Sequence, residues 1–241
     1  MNWIKPDWPL PPGVHAATTL RTGGVSTGGY ASLNPAAHVN DDPERVSANR
    51  QRIGDMLQLP SEPVWLQQVH GTRVVQADQV DGLVEADASM TCQSNTVCAV
   101  LTADCLPVLF CGDGGAVVGA AHAGWRGLAA GVLENTLAAM ACRDVTVWLG
   151  PAIRPEHFEV GDEVRAAFVE NNAQACSAFV AHGPGKWLAD IYQLARLRLT
   201  ALGVERLYGG EFCTVADAGR FYSYRRDGAA TGRMASLIWR D

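Results

Sequence analysis

The stretch from Val97 to Leu128 most restricts the fold of this chain. It contains three short apolar runs rich in β-branched residues, which are typical of buried strands rather than helices. Glycines 112, 114 and 115 separate the second run from the third. An amphipathic pattern then predicts a helix that starts near Trp125 and continues through Leu137. The three predicted strands are Val97–Leu101, Pro107–Phe110 and Ala116–Ala121.

Two residue types that can bind metals follow these runs. Cys105 stands in TADCLP and His122 in AAHAGWRG, and upstream His70 ends the apolar stretch Val64–Val69 in QQVHG. Two imidazoles and a thiolate suit zinc, and three protein ligands leave a coordination position open, as in catalytic zinc sites. No CxxC or HxxxH spacing occurs, so the ligands must come from separate strands. A packed core thiol is the alternative for Cys105.

Composition limits the class of protein. The 241 residues fit one large domain spanning 1–241. No apolar run reaches the ~18 residues of a membrane span, and the N-terminus lacks the apolar core of a secretory signal. Seven cysteines, irregularly spaced, indicate a reducing, cytoplasmic compartment. A net charge of −6 argues against a nucleic-acid partner.

The remaining elements follow from capping residues and periodicity. Asp42 and Pro43 predict a helix start, and the helix is expected to end near Leu59. Val164 and Phe168 lie one turn apart on another predicted helix, and Trp187–Leu202 is the strongest helix of the C-terminal half. The further predicted strands are Ala16–Arg21, Val64–Val69, Val74–Gln76, Val145–Leu149, Arg206–Phe212 and Ser236–Trp239.

Polar residues in the glycine-rich loops are candidates for binding an anion. Arg21 opens RTGGVSTGGY, and Arg225, Arg226 and Arg233 converge in FYSYRRDGAATGR. Arginine binds carboxylate or phosphate with two parallel hydrogen bonds. Ordinary solvated surface loops are the alternative for both segments. Other polar side chains lie in loops: His38 and Asn40 precede the first helix, and Asp87 in EADASMT is expected mainly to cap backbone N–H groups.

A series of motifs over nearly the whole chain resembles the bacterial YfiH family. The motifs are RTGGVS, SLNPAAHVNDD, QQVHG, EADASMT, LTADCLPVLF, AAHAGWRGL, GPAI, FEVGDEV and FYSYRRDGAATGR. This family is also known as the laccase-domain or polyphenol oxidase family and as the peptidoglycan editing factor. The resemblance implies an α/β (α+β) sandwich of mixed sheets flanked by helices, similar to the catalytic domain of cytotoxic necrotizing factor. It also implies a zinc site at His70, Cys105 and His122.

The activity that the resemblance implies is phosphorolysis of adenosine, inosine and methylthioadenosine, with adenosine deamination as a second activity. The expected partners are therefore a purine nucleoside and phosphate. The expected oligomeric state is a monomer or a homodimer. His70, Cys105, His122 and Arg126 are the expected catalytic residues. Arg126 is the first choice for phosphate, because it lies at a helix start where the dipole favours an anion. The expected substrate-binding residues are Arg21, Asn40, Arg225 and Arg226.

Several other functions compete with this hypothesis. Deamination would use zinc to activate water, although the combined HxE and PCxxC signature of zinc deaminases is absent. A multicopper oxidase needs many histidines, and six histidines with no HxH pair favour zinc over copper. Cys105 and His122 could instead act as the nucleophile and base of an amidohydrolase that edits serine-containing peptidoglycan precursors. A zinc-stabilised binding module without turnover is a fourth possibility.

Overall fold

Residues 2–241 are described by the computed structural model of the chain. They form six α-helices and fifteen strands. The helices are α1 Pro43–Leu57, α2 Trp125–Ala130, α3 Val132–Met140, α4 Asp162–Val169, α5 Ile191–Ala201 and α6 Tyr224–Asp227. The strands are β1 Trp3–Ile4, β2 Val14–Thr19, β3 Leu66–Gln67, β4 Val74–Gln76, β5 Val84–Glu85, β6 Ala88–Thr91, β7 Cys98–Thr102, β8 Leu106–Gly112, β9 Val117–Ala123, β10 Val145–Leu149, β11 Glu159–Gly161, β12 Phe179–Ala181, β13 Lys186–Ala189, β14 Arg206–Gly209 and β15 Met234–Arg240.

Two sheets face each other at the centre of the fold. One has six strands in the order β14-β10-β8-β9-β6-β4, and the other has four in the order β1-β2-β15-β7. Apolar side chains from both sheets meet between them, among them Val100 of β7, Leu109 of β8 and Ile238 of β15. The six-stranded sheet is mixed, since β8 pairs antiparallel with β9 and β10 pairs parallel with β14. The predicted sandwich of mixed sheets is confirmed, while the likeness to cytotoxic necrotizing factor stays a prediction.

Helices cover the outer faces of both sheets. The side chains of a strand alternate between its two faces, so Leu109 points to the neighbouring sheet while Val108 and Phe110 point to α3 and α5. On the other side, α1 packs Ile53 and Leu57 against the four-stranded sheet. Burying apolar area on both faces of each sheet explains why the central runs are almost continuously hydrophobic.

The start of α1 agrees with the capping signals. The Asp42 side chain accepts hydrogen bonds from the backbone N–H groups of Glu44 and Arg45, and Pro43 occupies the first helical position. The helix ends at Leu57, where Gln58 adopts a left-handed conformation. The three predicted central strands are confirmed as β7, β8 and β9, each within two residues of its predicted bounds at either end.

Three predicted elements are corrected by the structure. The expected strand Val64–Val69 is reduced to β3, because only its middle pairs with β5. The predicted helix Trp187–Leu202 begins four residues later, since Lys186–Ala189 pairs as β13 and Asp190 caps the helix. The strand expected over Arg206–Phe212 ends at Gly209.

The helix expected from Trp125 through Leu137 is divided into α2 and α3. Gly131 separates them with a left-handed φ of 105°, and its N–H caps the end of α2 by donating to the carbonyls of Gly127 and Leu128. Glycine adopts this conformation at little cost. No helix within residues 2–241 is long and apolar enough to cross a membrane.

Candidate functional site

The three predicted metal ligands meet at one end of the sandwich. Cys105 lies in the bend between β7 and β8, His122 lies near the end of β9, and His70 lies in the bend that follows β3. The antiparallel register pairs Pro107 with His122, which carries Cys105 to the same end of the sheet. The ligand atoms of the three residues all lie within 4.8 Å of one another. Strand pairing therefore brings together candidate ligands that lie far apart in the sequence.

The spacing of these atoms fits a tetrahedral metal site. Cys105 Sγ lies 3.8 Å from His70 Nε2. With Zn–S of about 2.3 Å and Zn–N of about 2.0–2.1 Å, a tetrahedral edge between sulfur and nitrogen is about 3.6 Å. The residues present thus fit a zinc ion with one position open. Within the described residues this is the one group of three such side chains.

Asp87 holds the group of His70, Cys105 and His122 in place through hydrogen bonds. Its carboxylate is completely buried and accepts a hydrogen bond of 2.8 Å from Nδ1 of His122. It also accepts the backbone N–H groups of Val69, His70 and Gly71 at 3.2, 2.9 and 2.7 Å. The backbone-capping role expected of Asp87 is confirmed. The hydrogen bond between Asp87 and His122 Nδ1 was not predicted from the sequence, and it leaves Nε2 of that ring free to bind a metal.

The charges of the cluster are strongly coupled. Burial alone would raise the pKa of the Cys105 thiol, but the neighbouring imidazoles of His122 and His70 lower it to about 6. Burial would likewise lower the pKa of His122, but the Cys105 thiolate and Asp87 raise it to about 9. Without a metal, the pair is therefore a thiolate beside an imidazolium at neutral pH. A thiolate is both the metal-binding and the nucleophilic form of cysteine.

A cavity of about 510 Å³ opens onto the cluster. The apolar and aromatic residues of its lining are Trp125, Ile153, Phe158, Ile191 and Tyr224. The polar residues of its lining include His38, Gln68 and Arg233. The volume is within the range of small-molecule sites, which usually combine apolar walls with a few polar groups. The cavity can therefore hold a flat aromatic ligand beside the three candidate metal ligands.

Three of the predicted arginines, Arg126, Arg225 and Arg233, line this cavity. Arg126 lies in the first turn of α2, as expected, and its guanidinium stacks on Trp125 at 4.4 Å. Arg225 donates hydrogen bonds to the carbonyl oxygens of His157 and Glu159 and lies over the ring of Phe158. Both guanidinium groups thus support the aromatic wall.

The other three predicted substrate-binding residues do not line the cavity. Arg21 donates to the carbonyls of residues 31 and 218, so its guanidinium holds loops together. Arg226 donates to the carbonyls of residues 214, 215 and 221 and pairs with Asp227. Asn40 follows the short turn Ala37–Val39 in a left-handed conformation. The guanidinium groups of Arg21 and Arg226 are thus engaged with backbone carbonyls, and a role of Arg21, Asn40 and Arg226 in contacting the substrate stays a prediction.

Residues that the sequence did not single out also belong to the site. Asp104 has a positive φ of 91° and accepts hydrogen bonds from the hydroxyls of Thr214 and Ser223 and from the N–H of Arg225. It thereby ties the C-terminal loop to the bend that carries Cys105. His38, which lies in the loop before the first helix, also lines the cavity. Arg233, predicted with Arg225 and Arg226 as a candidate for binding an anion, lines it too.

The chain is similar to known proteins over nearly its full length. A family model described as multi-copper polyphenol oxidoreductase laccase matches residues 15–241. Purine nucleoside phosphorylase PA4543 of Pseudomonas aeruginosa is 54% identical over 240 residues, which cover 98% of each chain. Purine nucleoside phosphorylase YfiH of Escherichia coli is 54% identical over 239 residues, again 98% of each.

Solved structures show the same likeness. The crystal structure of protein NMB0706 of Neisseria meningitidis matches with a TM-score of 0.96 and 51% identity, covering 100% of both chains. YlmD of Geobacillus stearothermophilus matches with a TM-score of 0.91 and 32% identity, covering 100% of this chain and 96% of that one. The fold described above is therefore shared by both proteins.

Proposed function

The chain belongs to the laccase-domain (YfiH) family, and from this premise we propose that it is a zinc-dependent purine nucleoside phosphorylase. Its proposed substrates are adenosine, inosine and methylthioadenosine together with inorganic phosphate. Two relatives with 54% identity carry the name purine nucleoside phosphorylase, and they align with 98% of the chain. The proposal transfers that activity from relatives of similar length.

The observation that carries the proposal is a three-ligand cluster facing an aromatic cavity. His70, Cys105 and His122 would hold zinc, which when bound supplies a Lewis acid. Trp125 and Phe158 offer flat faces for stacking a purine, and both line the same cavity. The candidate metal ligands and the aromatic residues that could stack on a base thus share one cavity.

Phosphorolysis requires the chain to bring phosphate to the ribose. An oxygen of hydrogen phosphate forms a bond to C1′ while the bond from C1′ to the purine nitrogen breaks, and the departing base takes up the proton that the phosphate gives up. Arginine suits this step because its two parallel N–H donors neutralise phosphate and fix its orientation. Arg126, Arg225 and Arg233 are the arginines that line the cavity among the described residues. Asp87 keeps His122 and the His70 loop in place during the reaction.

Deamination of adenosine is proposed as a side activity of the same site. Water replaces the exocyclic amine at C6, which leaves as ammonia. The open coordination position and the purine-sized cavity support this second reaction. Oxidation of phenols by several coppers is not proposed, because residues 2–241 contain one metal-capable cluster and such oxidases hold several coppers at once.

The test is a phosphate-dependence assay on metal-analysed protein. With inosine and phosphate, we expect hypoxanthine and ribose 1-phosphate to form, and we expect about one zinc per chain. His70→Ala should lose both zinc and turnover. His15→Ala is the matched control, because this histidine pairs with the C-terminal Asp241 outside the cavity. Base released at the same rate without phosphate would contradict the proposal.

A cysteine amidohydrolase acting on serine-containing peptidoglycan precursors is the second candidate. Asp87 orients His122, and His122 lies beside a Cys105 thiol whose pKa is lowered to about 6, which is the order of groups in a nucleophile–base–carboxylate triad. His70 has no chemical role in that reaction. Activity on a muropeptide precursor that survives both chelation and His70→Ala would favour this candidate. A non-catalytic zinc module would bind zinc and turn over neither substrate.

A further inference from the structure

Arg233 has an unusual position among the arginines of the cavity. It precedes β15, and Met234 at the start of that strand pairs with Thr102 at the end of β7. The chain continues from Thr102 through Asp104 to Cys105, so strand pairing places Arg233 beside the bend that carries the metal ligand. The charges of Cys105 and Asp104 both act on the Arg233 guanidinium. Arg233 thus reaches the cavity from the side of the metal cluster.

The guanidinium of Arg233 is partly buried without a carboxylate partner. Its Nη1 donates to the backbone carbonyl oxygens of Thr231 and Gly232 at 2.9 and 3.0 Å. Within residues 2–241 no carboxylate oxygen lies within 4.0 Å of it, and its other nitrogens make no hydrogen bond to the chain. Burial lowers its pKa. The Nε and Nη2 donors of this half-buried group are therefore open to a ligand in the cavity, and free guanidinium donors suit an anion such as phosphate.

Nearby acidic groups act on Arg233 without bonding to it. The Asp104 carboxylate accepts three hydrogen bonds from other partners and forms no ion pair with Arg233 within 4.0 Å. The Cys105 thiolate would be neutralised by zinc in the loaded protein. The positive charge of Arg233 is therefore available to a ligand.

His38 is a second polar residue in the lining of the cavity. Burial and the charge of Arg233 lower its pKa, which keeps the imidazole neutral near pH 7. A neutral imidazole donates one N–H without adding a second positive charge. Arg126 and Arg225, by contrast, lie against the aromatic residues Trp125 and Phe158. The cavity lining thus offers polar groups at Arg233 and His38 and aromatic rings at Trp125 and Phe158.

We propose that Arg233 and His38 form the subsite that binds the phosphate nucleophile. This inference rests on the proposed phosphorylase activity and replaces Arg126 as the phosphate-binding residue. The purine then lies against Trp125 and Phe158, and the ribose lies between the purine and the bound phosphate. A phosphate dianion could also come from a nucleotide, in which case the same groups would hold its 5′-phosphate.

The test compares arginine variants in two measurements. In the zinc-loaded protein, Arg233→Gln should raise the KM for phosphate by about tenfold or more, the usual effect of losing charge-assisted hydrogen bonds. The KM for inosine should change less than about twofold. Inorganic phosphate should raise the melting temperature of the wild type, and Arg233→Gln should abolish that shift without any turnover being needed. Arg206→Gln is the surface control, since this side chain lies on the edge strand β14 outside the cavity.

Two further variants keep the result interpretable. Arg233→Lys retains the charge and should show an intermediate phosphate KM even if Arg233→Gln folds poorly. His38→Gln should raise the same constant with little change in stability. A large phosphate effect in Arg126→Gln combined with none in Arg233→Gln would overturn the subsite while leaving the phosphorylase intact.

The remaining outcomes separate the subsite from the activity. If phosphate stabilises the wild type through Arg233 but no nucleoside is cleaved with phosphate, the subsite stands and the proposed function fails. If a nucleoside 5′-monophosphate raises the melting temperature through Arg233 while inorganic phosphate does not, the assignment to the nucleophile is overturned.

Discussion

Asp87→Asn tests the idea that one buried carboxylate positions the whole cluster. Oδ1 accepts His70 N–H and His122 Nδ1–H, and Oδ2 accepts the N–H groups of Val69 and Gly71. An asparagine replaces one oxygen with an NH₂ group, so two of the four donors face another donor. Each buried donor left unpaired costs about 1–3 kcal/mol. We therefore expect the free energy of unfolding of the metal-free protein to fall by about 2–6 kcal/mol.

The same substitution should weaken zinc binding. Removing the partner of a ligating histidine typically lowers metal affinity about 10–100-fold. Denaturant titration of the metal-free protein measures the first effect, and competition with a chromophoric chelator measures the second. Asp78→Asn is the matched control, because Asp78 is exposed and accepts hydrogen bonds from Gln76 and Thr91. A stability change below about 0.5 kcal/mol together with unchanged zinc affinity would refute the reasoning.

Three further results are expected. Burial raises the pKa of the Cys98 thiol to about 12, whereas the unfolded chain loses this proton near about 8.5. The free energy of unfolding should therefore fall as the pH rises from about 9 to 12, by up to about 1.4 kcal/mol per pH unit from this thiol. Denaturant titrations should give a shallower slope for Cys98→Ala, and equal slopes would contradict this. Gly124→Ala should weaken zinc binding, because the added Cβ would lie 2.7 Å from Cδ2 of His70. Gly54→Ala is the control and should leave zinc affinity unchanged, because a Cβ added there would meet nothing within 4 Å. Tyr192→Phe should destabilise the protein by about 1–3 kcal/mol in thermal or denaturant unfolding, because the buried hydroxyl joins three backbone groups; an unchanged midpoint would exclude that role.

The strands were predictable because their signals are local, and the candidate metal ligands could be proposed for the same reason. Alternation and β-branched residues mark β7, β8 and β9 within a few residues of sequence, and Asp42 with Pro43 marks the start of α1. The ligand types also stand out by themselves, since cysteine and histidine at strand ends are uncommon. Short-range patterns of this kind do not depend on the rest of the fold.

Elements that depend on distant partners were predicted less well. Lys186–Ala189 has a helical pattern but pairs with β11 and β12, and that pairing overrides its local preference. Gly131 ends α2 at a point where the apolar spacing alone continues smoothly. In both cases tertiary contacts or backbone conformation decided between two locally acceptable structures.

The residue types that could carry the chemistry, at His70, Cys105 and His122, can be recognised in the sequence alone. Their surroundings depend on the tertiary structure. Asp87 contacts His122 from 35 residues away, and Arg233 reaches the bend of Cys105 through the pairing of β15 with β7. An arginine in a loop looks the same in sequence whether it holds carbonyls, as Arg226 does, or faces a cavity. The difference comes from burial and from hydrogen-bond partners, which are set by contacts between segments far apart in the chain.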